Sequence, residues 1–372
     1  MRKAALICSE ELWAHGHGEA HPMRPERLRM TSELIQAYRA IDGTGSRMLP
    51  PSPATDQDLT LWHTEEYVRA VRRLSAGDRG VHPRAYNLGS GDNPVFPGMY
   101  ETEALKAGAS LLAARLVVDK TVDVAFSFSG GLHHAMSGYA SGFCIFNDAA
   151  IVIRWLGEQG LRVAYVDVDA HHGDGVQAAF YDSDQVLTIS LHESGHYLFP
   201  GTGFVQELGT GAGMGYSVNV PLMPYTGDDV YLWAFDQVGP PLVSGFAPDV
   251  LVTQLGIDTH FRDPLTHLLL TSVGYEQIIR SFRAMDLPWV ALGGGGYHIH
   301  TVARGWTLAY GIMSDQELCD AIPASYADSY GDHWLHDREG PQISDRDAAT
   351  ARQYAERQVG ELRRALGPAR FA

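Results

Sequence analysis

The chain has 372 residues, 45% of them hydrophobic, and a formal net charge of −16. That length supports a large buried core, while the charge argues against nucleic acid as the main partner, because phosphate binding needs clustered Lys and Arg. No apolar run reaches the roughly 18 residues of a membrane helix, so no membrane partner is expected. Cys8, Cys144 and Cys319 are widely spaced and form neither a disulfide framework nor a metal knuckle. With an N-terminal apolar stretch too short for a secretory signal, this fits a cytoplasmic location. An acidic surface is compatible with cationic substrates.

The stretch Gly77–Gly98, rich in Pro and Gly, reads as a long loop, and loops of that length are usually functional. Helical periodicity follows over Tyr100–Val118, then an apolar, β-branched run over Val122–Phe128. The alternation continues with helix Asn147–Glu158, strand Val163–Val168, helix Gly173–Tyr181 and strand Val186–Leu191. It runs on through helix Asp228–Val243, strand Val250–Leu255, helix Ser272–Ala284 and strand Trp289–Leu292. Short, nearly continuous apolar strands are buried on both faces. Alternating with helices, they predict an α/β fold, a parallel sheet with helices on both faces. Residues after about Ile312 are more polar, and the last helix, about Asp345–Leu366, is expected to be peripheral.

In such a sheet, ligands sit beyond the C-terminal strand ends. Four of those ends carry polar groups of catalytic type. Asp167, Asp169, His171, His172 and Asp174 crowd one of them. Strand alternation puts Asp167, Asp169 and His171 on one side where the strand persists. Carboxylate oxygen and imidazole nitrogen suit zinc, iron, manganese or cobalt. Asp258, at a neighbouring strand end, is the natural third ligand, and two Asp with one His leave coordination positions open. A helix-capping role accounts for one such Asp but not for three acids and two histidines within eight residues. His133 and His134 follow a glycine-softened strand end; if both reach the site, one serves as general base and the other as electrostatic partner or acid. Asp167 and Asp174 are available to orient them. Gly293–Gly296 lets backbone approach a ligand; it lacks the pattern and Lys of a phosphate loop. Tyr297 follows, with a hydroxyl suited to a developing oxyanion.

Taken together, these segments resemble the histone deacetylase superfamily, closest to class I enzymes and their bacterial relatives, the acetoin-utilisation proteins among them. The matching pieces are His21–Arg27, Gly91–Phe96, Gly130–Ala135, Ser141–Asp148, Asp167–Gly175, Ser190–His192, Phe199–Gly203, Gln254–Asp258 and Gly293–Tyr297, in family order over about residues 15–310. The resemblance implies a single domain over 1–372, with 313–372 a peripheral segment. Its fold would be the arginase–deacetylase one, an open, mostly parallel eight-stranded sheet. It implies zinc on Asp169, His171 and Asp258, with Fe2+ able to fill the same ligands. It pairs His133 with Asp167 and His134 with Asp174, and gives Tyr297 the substrate carbonyl. Gly142, Phe143 and Phe199 match the walls of a narrow tunnel; Asp92 and Leu265 match its rim, and Arg27 the arginine of an inner cavity for released acetate. Structural K+ is implied at Asp167, Asp169, His171, Ser190 and Leu191, and again at Phe180, Ser183, Val186 and Tyr216.

The implied activity is hydrolysis of an N-acetyl amide, foremost acetyl-lysine in a protein or peptide; the alternative is an acetylpolyamine or other small acylated amine. An oligomer is compatible with the sequence. His260 and Arg262 depart from the nuclear class I pattern, at positions the resemblance puts near the rim. An arginase-like two-manganese site would need a DxD where Gln254–Asp258 offers one Asp. A scaffold without turnover would be expected to lack Tyr297 or a histidine.

Overall fold

The computed structural model describes residues 2–18, 20–42, 45–89, 91–367 and 370. Its centre is one eight-stranded sheet: β1 (Ala4–Ile7), β2 (Ser46–Leu49), β3 (Val124–Ser127), β4 (Val163–Asp167), β5 (Val186–Glu193), β6 (Ser217–Leu222), β7 (Val250–Gln254) and β8 (Trp289–Leu292). The spatial order is β2-β1-β3-β8-β7-β4-β5-β6, and every ladder between these strands is parallel. All C-terminal strand ends therefore open on one edge of the sheet. The strands anticipated from apolar runs are the five central ones, β3, β8, β7, β4 and β5, each buried along its whole length.

Helices cover both faces. Met99–Val118 packs on β3 and β8 and against Asp148–Glu158; on the other side Asp228–Phe246 packs on β4 and β5 and leads to Ser272–Ala284 and Ile299–Met313. Met99–Val118 is buried nearly all round, as a helix without a polar face must be. The expected loop Gly77–Gly98 is irregular apart from a 3-10 turn at Pro83–Tyr86; Ser90 within it lies outside the described residues.

Strands β1, β2 and β6 were not among those anticipated, although Ala4–Ile7 is itself a fully buried apolar run. Strand β2 is a half-buried edge, and β6 contains Asn219 and Pro221, residues that edge strands tolerate. Residues beyond Met313 carry buried side chains of their own. Ile322, Tyr326, Ala327 and Leu335 form a second core with Met30 and Leu34 of helix Glu26–Ala37. Helix Asp345–Leu366 lies against the edge strand β6 and helix Asp228–Phe246, burying Ala351, Ala355, Val359 and Leu362.

That packing has a measurable consequence. Leu362→Ala should lower unfolding free energy by about 2–5 kcal/mol, read from urea denaturation; an unchanged midpoint would mean that this helix does not stabilise the sheet.

Candidate active site

Strands β3, β8, β7, β4 and β5 are adjacent, so their C-terminal loops converge over the middle of the sheet. Strand β4 ends at Asp167, earlier than the alternation argument assumed, and the chain then turns rather than continuing as strand. The turn is made by side chains gripping backbone: Asp167 Oδ1 accepts the Asp169 amide (3.1 Å) and Asp169 Oδ1 the His171 amide (3.0 Å). This, not strand periodicity, brings Asp169 and His171 together.

Asp169, His171 and Asp258 are buried, and one ligand atom from each lies within 4.8 Å of the others. His171 Nδ1 is 3.1 Å from Asp169 Oδ1 and 2.9 Å from Asp258 Oδ2. The remaining oxygens are pinned. Asp169 Oδ2 accepts Gln254 Nε2 (2.7 Å) and the Gly295 amide (2.7 Å), and Asp258 Oδ1 accepts the Ala170 amide (2.7 Å). Each carboxylate thus presents one oxygen to the common centre. Burial, with Asp169 alongside, pushes the Asp258 carboxyl up to about 8. Burial pulls the His171 imidazole down, but Asp258 and Asp169 outweigh it and hold it well above its ordinary value. Two buried carboxylates demand a cation between them, and a divalent metal fits that demand with a donor set it prefers.

His133 Nδ1 lies 2.7 Å from Asp167 Oδ2, and His134 Nδ1 2.7 Å from Asp174 Oδ1, the two pairings the resemblance implied. Both Nε2 atoms face the site, 3.1 Å apart. The pair is electrically split. Burial lowers His133, but Asp167 and Asp169 raise it to about 9; burial and the charge of His133 lower His134 to about 4. Tyr165 donates its hydroxyl to Asp167 (2.6 Å), fixing the carboxylate that orients His133.

The Tyr297 ring stands against Phe143 (5.6 Å between centroids), and its backbone amide donates to Asp263 (2.8 Å). Its hydroxyl has no hydrogen-bond partner among the described residues. Burial and the nearby Asp258 and Asp169 hold it protonated, a donor at neutral pH. Phe199 lies 5.0 Å from the His134 ring and 6.4 Å from that of His171. Gly142 sits between: its φ is +51°, and a Cβ there would meet His134 at 2.4 Å and Phe199 at 2.9 Å. Only glycine leaves that gap open.

The remaining expected residues fall as follows. Asp92 is exposed, its carbonyl accepting from His21 (3.2 Å), and Leu265 is partly buried. Arg27 is buried, donates to the carbonyls of Gly294 (2.7 Å) and Gly296 (3.2 Å), and lines a cavity of about 10 Å³ with Lys106 and Ser129. That is room for about one water. Ser190 is in register with Asp167 across β4 and β5 and pairs with His192 (2.8 Å), while the Leu191 carbonyl accepts from Tyr231 (3.1 Å). Phe180, Ser183 and Val186 flank the turn into β5, and the Tyr216 carbonyl accepts the Thr188 amide (2.9 Å). His260 is not at a rim: it is 1% exposed and locked on Asp337 (2.8 Å), because a buried imidazole needs a partner. Arg262 is exposed.

Three residues carry structural weight without having been assigned a role. Gln254 bridges Asp169 to the Gly131 carbonyl (3.2 Å), tying β7 to the loops after β4 and β3. Asp148 accepts from Ser110, Gly131 and Leu132 and so shapes the loop carrying the histidines. Asp263 holds Tyr297. The available signal was a polar residue closing an otherwise apolar run, which Gln254 and Asp148 both do.

Comparison with known proteins agrees with this geometry. The histone deacetylase domain model matches residues 21–313. The chain belongs to the histone deacetylase family. The acetoin utilization protein AcuC of Bacillus subtilis is 38% identical over 374 residues, covering 94% of this chain and 96% of that protein. Histone deacetylase clr6 of Schizosaccharomyces pombe is 36% identical, covering 89% and 82%. The crystal structure of an HDAC homolog from Aquifex aeolicus superposes with a TM-score of 0.86 at 31% identity, over 95% of this chain and all of that one. The chain is thus a family hydrolase whose buried Asp–His–Asp group can hold a divalent metal.

Metal content tests the centre directly. Elemental analysis should find about one tightly bound divalent ion per chain, falling to under about a tenth in Asp258→Ala; two tightly held ions would contradict a mononuclear site.

Proposed function

We propose that the chain is a zinc-dependent deacetylase that hydrolyses acetyl-lysine in a protein or peptide to free amine and acetate. The observation that carries this reading is the convergence of an open Asp–His–Asp centre, two carboxylate-paired histidines and an unpartnered tyrosine hydroxyl at one sheet edge. Zinc held by Asp169, His171 and Asp258 would supply Lewis acidity toward the acyl carbonyl and acidify water; Fe2+ suits the same donors.

The chain's own groups divide the remaining work. His134, kept neutral, takes the proton of the attacking water on Nε2, with Asp174 on Nδ1 favouring the imidazolium that forms. His133, held charged by Asp167, stabilises the developing negative charge. The Tyr297 hydroxyl donates to the oxyanion, and His134 returns the proton to the leaving amine. Phe143, Phe199 and Gly142 form a narrow approach that admits an extended alkyl chain, with Asp92 and Leu265 at its mouth. The cavity beside Arg27, about 10 Å³, would have to widen before it could receive acetate. Potassium at Asp167, Asp169, His171, Ser190 and Leu191, and at Phe180, Ser183, Val186 and Tyr216, would brace the loops, in one domain spanning residues 1–372 and working in the cytoplasm.

Tyr297→Phe should lower kcat on an acetyl-lysine peptide by about 10²–10³, the scale of one oxyanion donor, with the fold intact by circular dichroism. A near-native rate would remove Tyr297 from the mechanism. Faster turnover of acetylputrescine than of the peptide would move the substrate assignment to acetylpolyamines.

A further inference from the structure

Arg262 follows Asp258 by four residues and directly precedes Asp263, the residue that holds the Tyr297 amide. Its own amide donates to His260 Nδ1 (3.2 Å), and the other nitrogen of that ring is locked on Asp337. Its guanidinium is exposed, lies 5.2 Å from the Phe261 ring centre, and meets no carboxylate among the described residues. The loop that anchors the Tyr297 backbone thus also carries a cation with no carboxylate partner among the described residues.

That cation lines a pocket of about 360 Å³ together with His298, the residue that follows Tyr297 in the chain. Around it stand His298, His300 and Arg304, from the start of helix Ile299–Met313, and His333 and Arg338 from the following segment. The acids on the wall are already committed. Asp332 pairs with His300 (2.7 Å), and Asp337 with Arg304 (2.9 Å) and His260 (2.8 Å). Arg338 is paired with Asp320. Among the described residues Arg262 and His333 have no acidic partner, and Arg304, only 8% exposed, has a buried Nε with no acceptor. Burial lowers the His298 pKa, and among its neighbours the Arg262 and Arg304 charges lower it further. The helix N-terminus it caps adds to the same potential. With Arg304 and Arg338 paired to acids, Arg262 is the arginine of this pocket that stays uncompensated among the described residues.

We propose that this pocket is a subsite for an acidic side chain of the acylated substrate, held by Arg262 while the acyl group lies beside Tyr297. The inference rests on the peptide-deacetylase reading and adds to it the chemistry of the flanking residues. A cationic acetylpolyamine tail would be repelled there.

The test uses three acetyl-lysine peptides, identical except for a flanking pair of Glu, Gln or Lys. At low ionic strength kcat/KM should favour Glu over Lys by about tenfold, a preference that salt erodes. Arg262→Glu should reverse the order, and Arg262→Gln should abolish most of it; the exposed position makes either change compatible with folding. Equilibrium binding of the same peptides to Tyr297→Phe protein, with and without Arg262→Glu, reads the same ratio without turnover. A Glu-to-Lys ratio unchanged by Arg262→Glu in both measurements overturns the subsite. No hydrolysis of any peptide, with the binding ratio still governed by Arg262, overturns the deacetylase reading and leaves the subsite standing.

Discussion

Two buried carboxylates that share one centre set the terms for the rest of this molecule. Asp169 and Asp258 lie in the interior, where an unpaired charge is far too costly to keep. The fold answers with directed donors on one oxygen of each: Gln254 and the Gly295 amide on Asp169, the Ala170 amide on Asp258. The other two oxygens face His171, and the space between them is a cation site by electrostatics alone. The Gly293–Gly296 segment matters for this reason. A Cβ at Gly295 would stand 2.2 Å from Asp258 Oδ2, and one at Gly256 2.1 Å from Asp169 Oδ2. Glycine is what lets backbone come near enough to hold the charges.

The same economy of buried polar groups extends outward from the metal centre. Asp167 orients His133 and is itself fixed by Tyr165; Asp148 anchors the loop from which both histidines project; Asp263 anchors Tyr297. Each candidate catalytic side chain, or the loop that carries it, is thus held by a hydrogen-bonded partner from another segment of the chain. Such a network is stiff because loss of one partner strands another in low dielectric. Stiffness here serves orientation: proton transfer and oxyanion stabilisation depend on distances near 3 Å.

Reading the site from sequence worked where chemistry is concentrated locally. The run from Asp167 to Asp174, the adjacent histidines and the tyrosine after four glycines are unusual as strings, and the strand-end rule placed them before any contact was seen. Fold reading worked for the five inner strands, because burial on both faces leaves a continuous apolar run. It did not work for β2 and β6, where partial exposure, or Asn and Pro within the strand, remove that run, and it missed β1, although Ala4–Ile7 is as apolar and buried as β3. Gln254 went unassigned because a glutamine ending a strand carries no role until its partners are known. His260 was expected near the rim and is instead buried on Asp337, a residue 77 positions away that no local pattern could reveal.

By itself the sequence determined the fold class and pointed to the candidate ligands, the histidine pair and the tyrosine, because residue type and spacing carry donor chemistry and the alternation of strands with helices carries the parallel sheet. Tertiary structure alone decided which oxygen of each carboxylate faces His171, that the two histidines are shifted in opposite directions, and that Arg262 lines a pocket with residues some 70 positions further on. Those properties belong to fields and contacts between distant segments, and an electrostatic environment exists only once the groups that make it have been brought together.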